Sequence, residues 1–470
     1  MELNDKFREE CGVVAIFGHP EASKLAYLGL HSLQHRGQES AGIVAVDSDG
    51  VARAKRRMGL VSEGLMPSSL DELSGTLALG HTRYSTAGSS SLDNAQPVLV
   101  RFRGGYIALA HNGNIVNASE LRRELEDDGS IFSSTMDSEV LVHRMARSKA
   151  VRPEDQLADA LQGVEGAFSL VVASGGTLMA ARDPRGWRPL VIGRLGGAVV
   201  FASETCALDI VGAAHVRDVQ PGEIVIVDAD GMRCRQALAP RESRRCVFEY
   251  VYFARPDSRI FDGGSVDRAR RALGRQLGRE SPAPGADLVF GVPDSANAAA
   301  LGYAEETGLP LELALIRNHY VGRTFIQPSQ AGRSHKVKVK YNPVREVLDG
   351  KKVVMVDDSI VRGTTTRGLV SLVRAAGARE VHMRIASPPV TGPCYYGIDT
   401  PSREELIAAN LSVDDIARHI DVDSLGYLSL DGMLAAVPGG PDGFCHACFS
   451  GDYPTPPPTD PDKLRFGCGC

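Results

Sequence analysis

The chain has 470 residues, 43% apolar and 23% charged, with a formal net charge of −6 at pH 7. That length exceeds one ordinary core and predicts two domains, and the composition is that of a soluble globular protein. The negative balance gives no bulk nucleic-acid face, no apolar run is long enough to span a membrane, and nine irregularly spaced cysteines do not make an extracellular disulfide scaffold. The charged start MELNDKFREE lacks the apolar stretch of a secretory signal. A cytoplasmic protein is expected, with cysteines that are catalytic, metal-binding or buried.

In chain order, Cys11 leads directly into the apolar run from Val13 to Phe17. By itself a cysteine there reads as an ordinary strand residue. Leu25, Leu28 and Leu33 follow at helical spacing, before a polar turn from His35 to Gly42. Two more apolar runs, Leu77–Leu79 and Tyr106–Ala110, lead into Gly80–Thr86 and His111–Asn114. Three strand ends thus present a thiol, the Arg83 guanidinium and the Asn112-Gly113 pair. Thr135–Glu139 opens a helical segment and is placed to cap its first turn. Arg83 and Asp137, taken alone, could be an ordinary surface ion pair. Short strands follow at 168–172, 191–192, 199–201 and 224–227, while Arg182–Gly186 and Ser203–Thr205 read as structural turns.

The segment Cys246–Ser258 is dense in aromatics, which predicts packing at an interface. Asp287–Val292 is a strand entering the polar turn Pro293–Asn297 and an alanine-rich helix. Arg317–Lys340 is strongly positive, which on charge alone describes a solvated loop. The most informative stretch is Lys351–Thr366, KKVVMVDDSIVRGTTT. Val353–Val356 is a continuous apolar run of the kind a strand buried on both faces requires. It ends in Asp357 and Asp358, a small polar loop, and apolar residues at helical spacing from Leu369. Strand, acidic pair, loop and helix is how an α/β sheet holds a phosphorylated sugar. Backbone N–H groups and the helix N-terminus take the phosphate, and carboxylates take the sugar hydroxyls.

The N-terminal motifs CGVVAIFG, HRGQESAG, GHTRYSTAG, AHNGNI and TMDSE resemble, in this order, the glutamine amidotransferase domain of the N-terminal-nucleophile hydrolases. VDDSIVRGTTT resembles the phosphoribosyl diphosphate (PRPP) signature of the type I phosphoribosyltransferases, and GVPDS resembles their pyrophosphate turn, with Ala296 where many members have glycine. From Cys11 to about Gly451 the chain resembles the amidophosphoribosyltransferase family, which opens purine synthesis. The resemblance implies α/β and α+β architecture in two domains, an αββα sandwich over 11–235 and a phosphoribosyltransferase domain with a parallel sheet over 236–451. It makes residues 1–10 a propeptide; 452–470 are expected to be a disordered tail. Cys11 would be the nucleophile, with its own freed α-amine as base, since that amine has a pKa of about 7.7–8.0. Asn112 and Gly113 would hold the oxyanion, Arg83 the glutamine α-carboxylate and Asp137 its α-ammonium. Asp357, Asp358, Gly363, Thr364, Thr365 and Thr366 would bind PRPP. One Mg²⁺ per subunit would touch Ser295, Asp357 and Asp358, with waters and phosphate oxygens completing its shell. The basic segment would be a flap over a polyanion, with purine nucleotides as feedback inhibitors and a homo-oligomer (dimer or tetramer) as the assembly.

Cys445-His446-Ala447-Cys448 alone could be zinc, redox or nothing. One branch of the family holds a [4Fe–4S] cluster and carries a propeptide, and Cys246, Cys394, Cys445 and Cys448 match its cysteine motifs. Four thiolates suit one such cluster per subunit and suit structural zinc as well. Cys206 and Cys234 read as structural, and Cys468 and Cys470 match nothing. Three rival readings are a glutamine-dependent enzyme with another sugar-phosphate acceptor, a non-enzymatic PRPP-binding regulator, and an electron-transfer protein. The first leaves VDDSIVRGTTT unexplained, the second leaves Cys11, Arg83, Asn112 and Asp137 unemployed, and the third needs neither constellation.

Overall fold

The computed structural model describes residues 11–65, 70–84, 90–318 and 340–457. Residues 1–10, most of the expected flap (319–339), Cys468 and Cys470 lie outside the described residues.

The first half contains strands β1 (Gly12–Phe17), β2 (Ser40–Val46), β3 (Ala52–Met58), β4 (Leu77–Arg83), β5 (Val98–Phe102), β6 (Gly105–Ile115), β7 (Gly166–Ser174) and β8 (Thr177–Arg182). It continues with β9 (Val191–Leu195), β10 (Ala198–Ala202), β11 (Ala214–Asp218), β12 (Glu223–Asp228) and β13 (Gly231–Gln236). Among the described residues these form two antiparallel sheets, ordered β11-β9-β10-β1-β4-β2-β3 and β13-β12-β8-β7-β6-β5. Alternation along each strand sorts its side chains onto two faces. Val13, Ala15 and Leu79 of one sheet meet Ala108, Val171 and Val225 of the other. The outer residues Val14 and Ile16 pack on helices Ala22–Ser32 and Thr205–Val211. Leu109, Leu170 and Ile226 pack on the helices that contain Leu121, Leu141 and Leu157. Four layers, helix on sheet on sheet on helix, result. The helix face differs from the leucine spacing: Leu28 is exposed, and Ala26, Gly29 and Leu30 are buried instead.

The second half contains β14 (Arg245–Cys246), β15 (Arg259–Ile260), β16 (Gly264–Ser265), β17 (Leu288–Gly291), β18 (Leu315–Arg317), β19 (Tyr341–Pro343), β20 (Lys352–Asp357), β21 (Glu380–Ile385), β22 (Ser424–Tyr427) and β23 (Phe444–Cys445). Strands β17-β20-β21-β22 form a parallel sheet. Val354 and Val356 face helices Val266–Glu280 and Asn297–Thr307, while Val353 and Met355 face helices Thr364–Ala375 and Val413–Ile420. The apolar run is therefore buried on both faces. The two helices of the first face approach closely at glycines, because a Cβ on Gly302 would lie 2.0 Å from the Arg271 carbonyl oxygen.

The aromatic segment lies at the junction of the two halves. Phe248 stacks on Phe449 at 5.7 Å and Tyr250 meets Phe444 edge-on at 6.0 Å, while β14 pairs in parallel with β23. Four buried charges lie beside it. Arg36 pairs with Glu204 and with Glu249 (Nη1 to Oε1, 3.2 Å), and Arg188 Nη1 lies 3.5 Å from Glu249. His35 adds a 2.7 Å contact to Glu204. Burial alone would raise the Glu204 carboxyl, but Arg36 and then His35 hold it well below the usual range. Ser203–Thr205 is thus more than a turn, since Glu204 couples segments far apart in sequence.

Removing one member of a buried ionic set strands its partners, at a cost of about 3–5 kcal/mol. Arg36→Met should lower stability by about that much in urea unfolding at pH 7. Glu204 is depressed when folded, so its contribution is present above its unfolded value of 4.5 and is lost as pH falls toward the folded value. The gap between the variant and the unmodified protein should accordingly narrow below that pH. An unchanged unfolding midpoint at pH 7 would show that the network contributes nothing.

Candidate active sites

Cys11 stands immediately before β1, and the β1–β4 register, with Gly12 opposite Thr82, carries on to place it beside Arg83. The residue is 7% exposed, and its thiol lies 3.6 Å from the Tyr84 carbonyl oxygen, to which it donates. Burial pushes the thiol up to about 11; the Tyr84 contact and Arg83 oppose this, and Asp137 and Glu39 add to it. Cys11 is therefore a neutral thiol at pH 7 and needs a base before it can attack. The charges that act on it show that Arg83 and Asp137 share its surroundings.

Neither residue is on the surface, and different partners hold them. Arg83 Nη1 donates to Glu39 Oε1 at 2.9 Å. Asp137 Oδ2 accepts from the Ile115 N–H at 2.8 Å, and its Oδ1 lies 3.7 Å from His111 Nδ1. The expected cap on the following helix, Glu139–Arg147, does not form: Ser138 stands at the cap position with helical backbone angles and its side chain makes no cap bond, while Asp137 is engaged by β6. Glu139 turns back instead to the N–H groups of Ser133 and Ser134, both at 2.9 Å.

Strand β6 does not end at Asn112-Gly113 but runs through the pair to Ile115. The Asn112 amide is fully buried, and among the described residues neither its oxygen nor its nitrogen has a hydrogen-bond partner. An unsatisfied buried polar group costs about 1–3 kcal/mol, so it calls for a ligand or a function. Gly113 has φ +147°, and a Cβ there would come within 2.1 Å of the Ala167 carbonyl oxygen, so only glycine fits. Three neighbours were not assigned roles from the sequence. Glu39 holds Arg83, His111 faces Asp137, and His81 Nε2 donates across the two sheets to the His111 carbonyl oxygen at 2.9 Å. Burial lowers His81 to about 3, which keeps it neutral. Their only sequence signal is membership of the same polar motifs.

In the second half, parallel pairing of β17 with β20 brings two distant turns to one sheet edge. Asp357 and Asp358 are both buried. Asp358 accepts from Ser295 Oγ at 2.5 Å and from Ser359 Oγ at 2.9 Å, and its N–H donates to Asp357 Oδ1 at 2.9 Å. Ala296 has an ordinary right-handed backbone (φ −92°), so the turn does not need glycine there. Gly363, at φ +79°, starts helix Thr364–Ala375, whose first-turn N–H groups, those of Thr364, Thr365 and Thr366, have no acceptor within the helix itself. Acidic oxygens beside a helix N-terminus suit a ligand that carries both hydroxyls and phosphate.

Cys246, Cys394, Cys445 and Cys448 line one cavity between the halves. Strand pairing sets Cys246 beside Cys445. Burial pushes Cys246 up to about 11, Cys445 further, and Cys448 well above the ordinary thiol value, and in each case a neighbouring cysteine adds to the rise. Among the described residues no three thiol, imidazole or carboxylate groups converge as a single metal ion requires. Cys206 is buried in the core of the first sheet, and Cys234 is an exposed residue within reach of Arg217.

Residues 81–209 match the family described as a glutamine amidotransferase domain. The chain is 52% identical to chloroplastic amidophosphoribosyltransferase 2 of Arabidopsis thaliana, covering 99% of this chain and 82% of that one. It is 50% identical to the amidophosphoribosyltransferase of Bacillus subtilis, covering 95% and 94%. Among solved structures, one of the allosteric regulatory enzyme of purine biosynthesis superposes with a TM-score of 0.92 at 49% identity, over 97% of this chain and 98% of that one. The B. subtilis glutamine PRPP amidotransferase complexed with ADP and GMP superposes with a TM-score of 0.91 at 48% identity, over 97% and 100%. Full-length likeness at this level, over a chain that carries both constellations, places this protein in the amidophosphoribosyltransferase family of purine-biosynthesis enzymes.

Proposed function

We propose that the Cys11 pocket hydrolyses glutamine and that the Asp357–Asp358 edge transfers the ammonia to C1 of PRPP, giving 5-phosphoribosylamine, pyrophosphate and glutamate. The observation that carries the first half is the buried Asn112 amide, without a partner among the described residues, on the strand that holds Asp137, a carboxylate that acts on the buried Cys11 thiol. The Cys11 sulfur adds to the carboxamide carbon, its proton passes to the α-amine of Cys11, and the C=O electron pair moves onto oxygen. Asn112 and the Gly113 N–H hold that oxyanion. On collapse the amide nitrogen takes that proton back from the α-ammonium of Cys11 and leaves as ammonia, and water then hydrolyses the thioester to glutamate and restores the thiol. Arg83 takes the substrate α-carboxylate, oriented beforehand by Glu39, and Asp137 takes the α-ammonium.

This chemistry needs an amine and not an amide at Cys11, so residues 1–10 are removed. Active protein should begin at Cys11 by intact mass, and active protein that still begins at Met1 would contradict the reading. Cys11→Ala should abolish glutamine use and keep synthesis from high ammonia; loss of both activities in a folded protein would refute separate sites.

On the transfer side, Gly363, Thr364, Thr365 and Thr366 hold the ribose phosphate, while Asp357 and Asp358 take the ribose hydroxyls. The hard oxygen donors Ser295, Asp357 and Asp358 fit Mg²⁺, which would supply charge to the leaving pyrophosphate. Asp357→Asn or Asp358→Asn should each lower kcat/KM for PRPP by at least about 10-fold and leave glutamine hydrolysis intact. Unchanged kcat/KM in both variants would make the pair structural.

For the cysteines, the fit favours a [4Fe–4S] cluster, and with it the propeptide-bearing branch. Zinc needs four donors at about 2.3 Å from one point, whereas a cubane meets each thiolate at a separate iron. Four cysteines around one cavity, Cys246 and Cys448 buried and Cys394 and Cys445 partly so, support the larger group. Cys445→Ser should lower iron content and soluble yield together. Stoichiometric zinc with no iron in anaerobically purified protein would refute the cluster. Inhibition by purine nucleotides, a homo-oligomeric assembly and a cytoplasmic location complete the proposal. The relative solved with ADP and GMP supports the first, and no described helix is long and apolar enough to cross a membrane.

A further inference from the structure

The polypeptide behind the oxyanion pair comes from the other half of the chain. Asn114 Nδ2 donates to the Tyr395 carbonyl oxygen at 2.8 Å, across 281 residues of sequence. Gly397, at φ +106°, lies against Gly113, and a Cβ built on it would stand 2.8 Å from the Gly113 carbonyl carbon and 3.1 Å from its oxygen. Gly113 is therefore pinched between two backbones, Ala167 of β7 and Gly397. The segment between is anchored independently. Arg188 donates to the Tyr396 carbonyl oxygen through Nε at 3.1 Å and Nη2 at 2.9 Å, and the Trp187 ring stacks on Tyr396 at 3.9 Å.

We propose that Tyr395–Gly397 is a positioning element of the glutamine site, fixing the Asn112–Gly113 backbone where the oxyanion forms. Oxyanion donors act because they are already in place when charge develops, and small displacements of them are costly. A glycine in contact with Gly113 admits the segment closely enough to block its retreat, and the Asn114 tether keeps the two backbones in register. Placing this backstop on the transferase half makes oxyanion geometry depend on how the halves dock. The inference rests on the assignment of Asn112 and Gly113 as oxyanion donors.

The test uses the full-length processed enzyme with Gly397→Ala and Asn114→Asp. The first adds a methyl group against Gly113, and the second replaces the donor that faces the Tyr395 carbonyl with an acceptor. Both should lower kcat for glutamine hydrolysis at least about 10-fold, with KM changing less than about 2-fold, because Arg83 and Asp137 are untouched. Ammonia-dependent synthesis should stay within about 2-fold of the unmodified enzyme. Affinity for the γ-aldehyde of glutamate, which adds the Cys11 thiol to form a tetrahedral adduct, should fall with kcat, whereas affinity for glutamate should not. Unmodified kcat and aldehyde affinity in both variants would overturn the proposal. So would hydrolysis and ammonia-dependent synthesis falling together, since that pattern reports lost folded protein. Asn112→Ala serves as the reference: if it hydrolyses glutamine at the unmodified rate, the oxyanion assignment itself fails and takes this inference with it.

Discussion

Four charges shut away from water at the junction of the two halves set the terms for the rest of the molecule. Arg36, Glu204, Glu249 and Arg188 come from widely separated segments and are all buried. Removing an ion from water costs several kcal/mol even after relaxation, so each must meet its partners closely or the set becomes a liability. Once satisfied, the set fixes more than itself. Glu204 also accepts from the Arg255 N–H at 2.9 Å and from Ser258 Oγ at 2.6 Å, which draws in the segment that enters the transferase half. Arg188 bonds both Glu249 and the Tyr396 carbonyl oxygen, so the same charges reach the segment behind Gly113.

Burial then does opposite things at the two sites. At Cys11 it holds the proton on sulfur, so that attack waits for a base. At Asn112 it leaves an amide with no partner among the described residues. The second is unfavourable in the resting protein, and such local conflicts concentrate where function needs them. At the transferase edge the acidic oxygens accept from neighbouring hydroxyls and an N–H, in a turn whose glycine leads into a helix start with no acceptor of its own for the first N–H groups. One site is thus built around an unmet hydrogen bond, the other around a gathered set of hard oxygens.

The fold class was legible because alternation and apolar runs respond directly to burial. Val353–Val356 reads as a doubly buried strand and is one. The motif residues at both sites were legible as residue types, since a nucleophile, an amide and an acidic pair are chemistry written locally. What the sequence hid was contact between distant segments. Nothing local in Ser203–Thr205 shows that Glu204 will meet Arg36, and nothing in GPCYYGID shows that Gly397 will rest on Gly113. The capping expectation at Thr135–Glu139 failed because Ser138 reaches the cap position with helical backbone angles, while Asp137 is held by β6, which only the folded chain brings there. Leu28 misled because helical spacing marks a face without saying which elements cover it.

On the proposed function, one chain couples two chemistries and ammonia passes between them. The most direct measurement supplies the processed enzyme with glutamine, PRPP and Mg²⁺ and follows glutamate, pyrophosphate and free ammonia in the same sample. Glutamate and pyrophosphate should appear in equal amounts with little ammonia in solution. Glutamate accumulating with an equal amount of free ammonia, and no pyrophosphate, would contradict it.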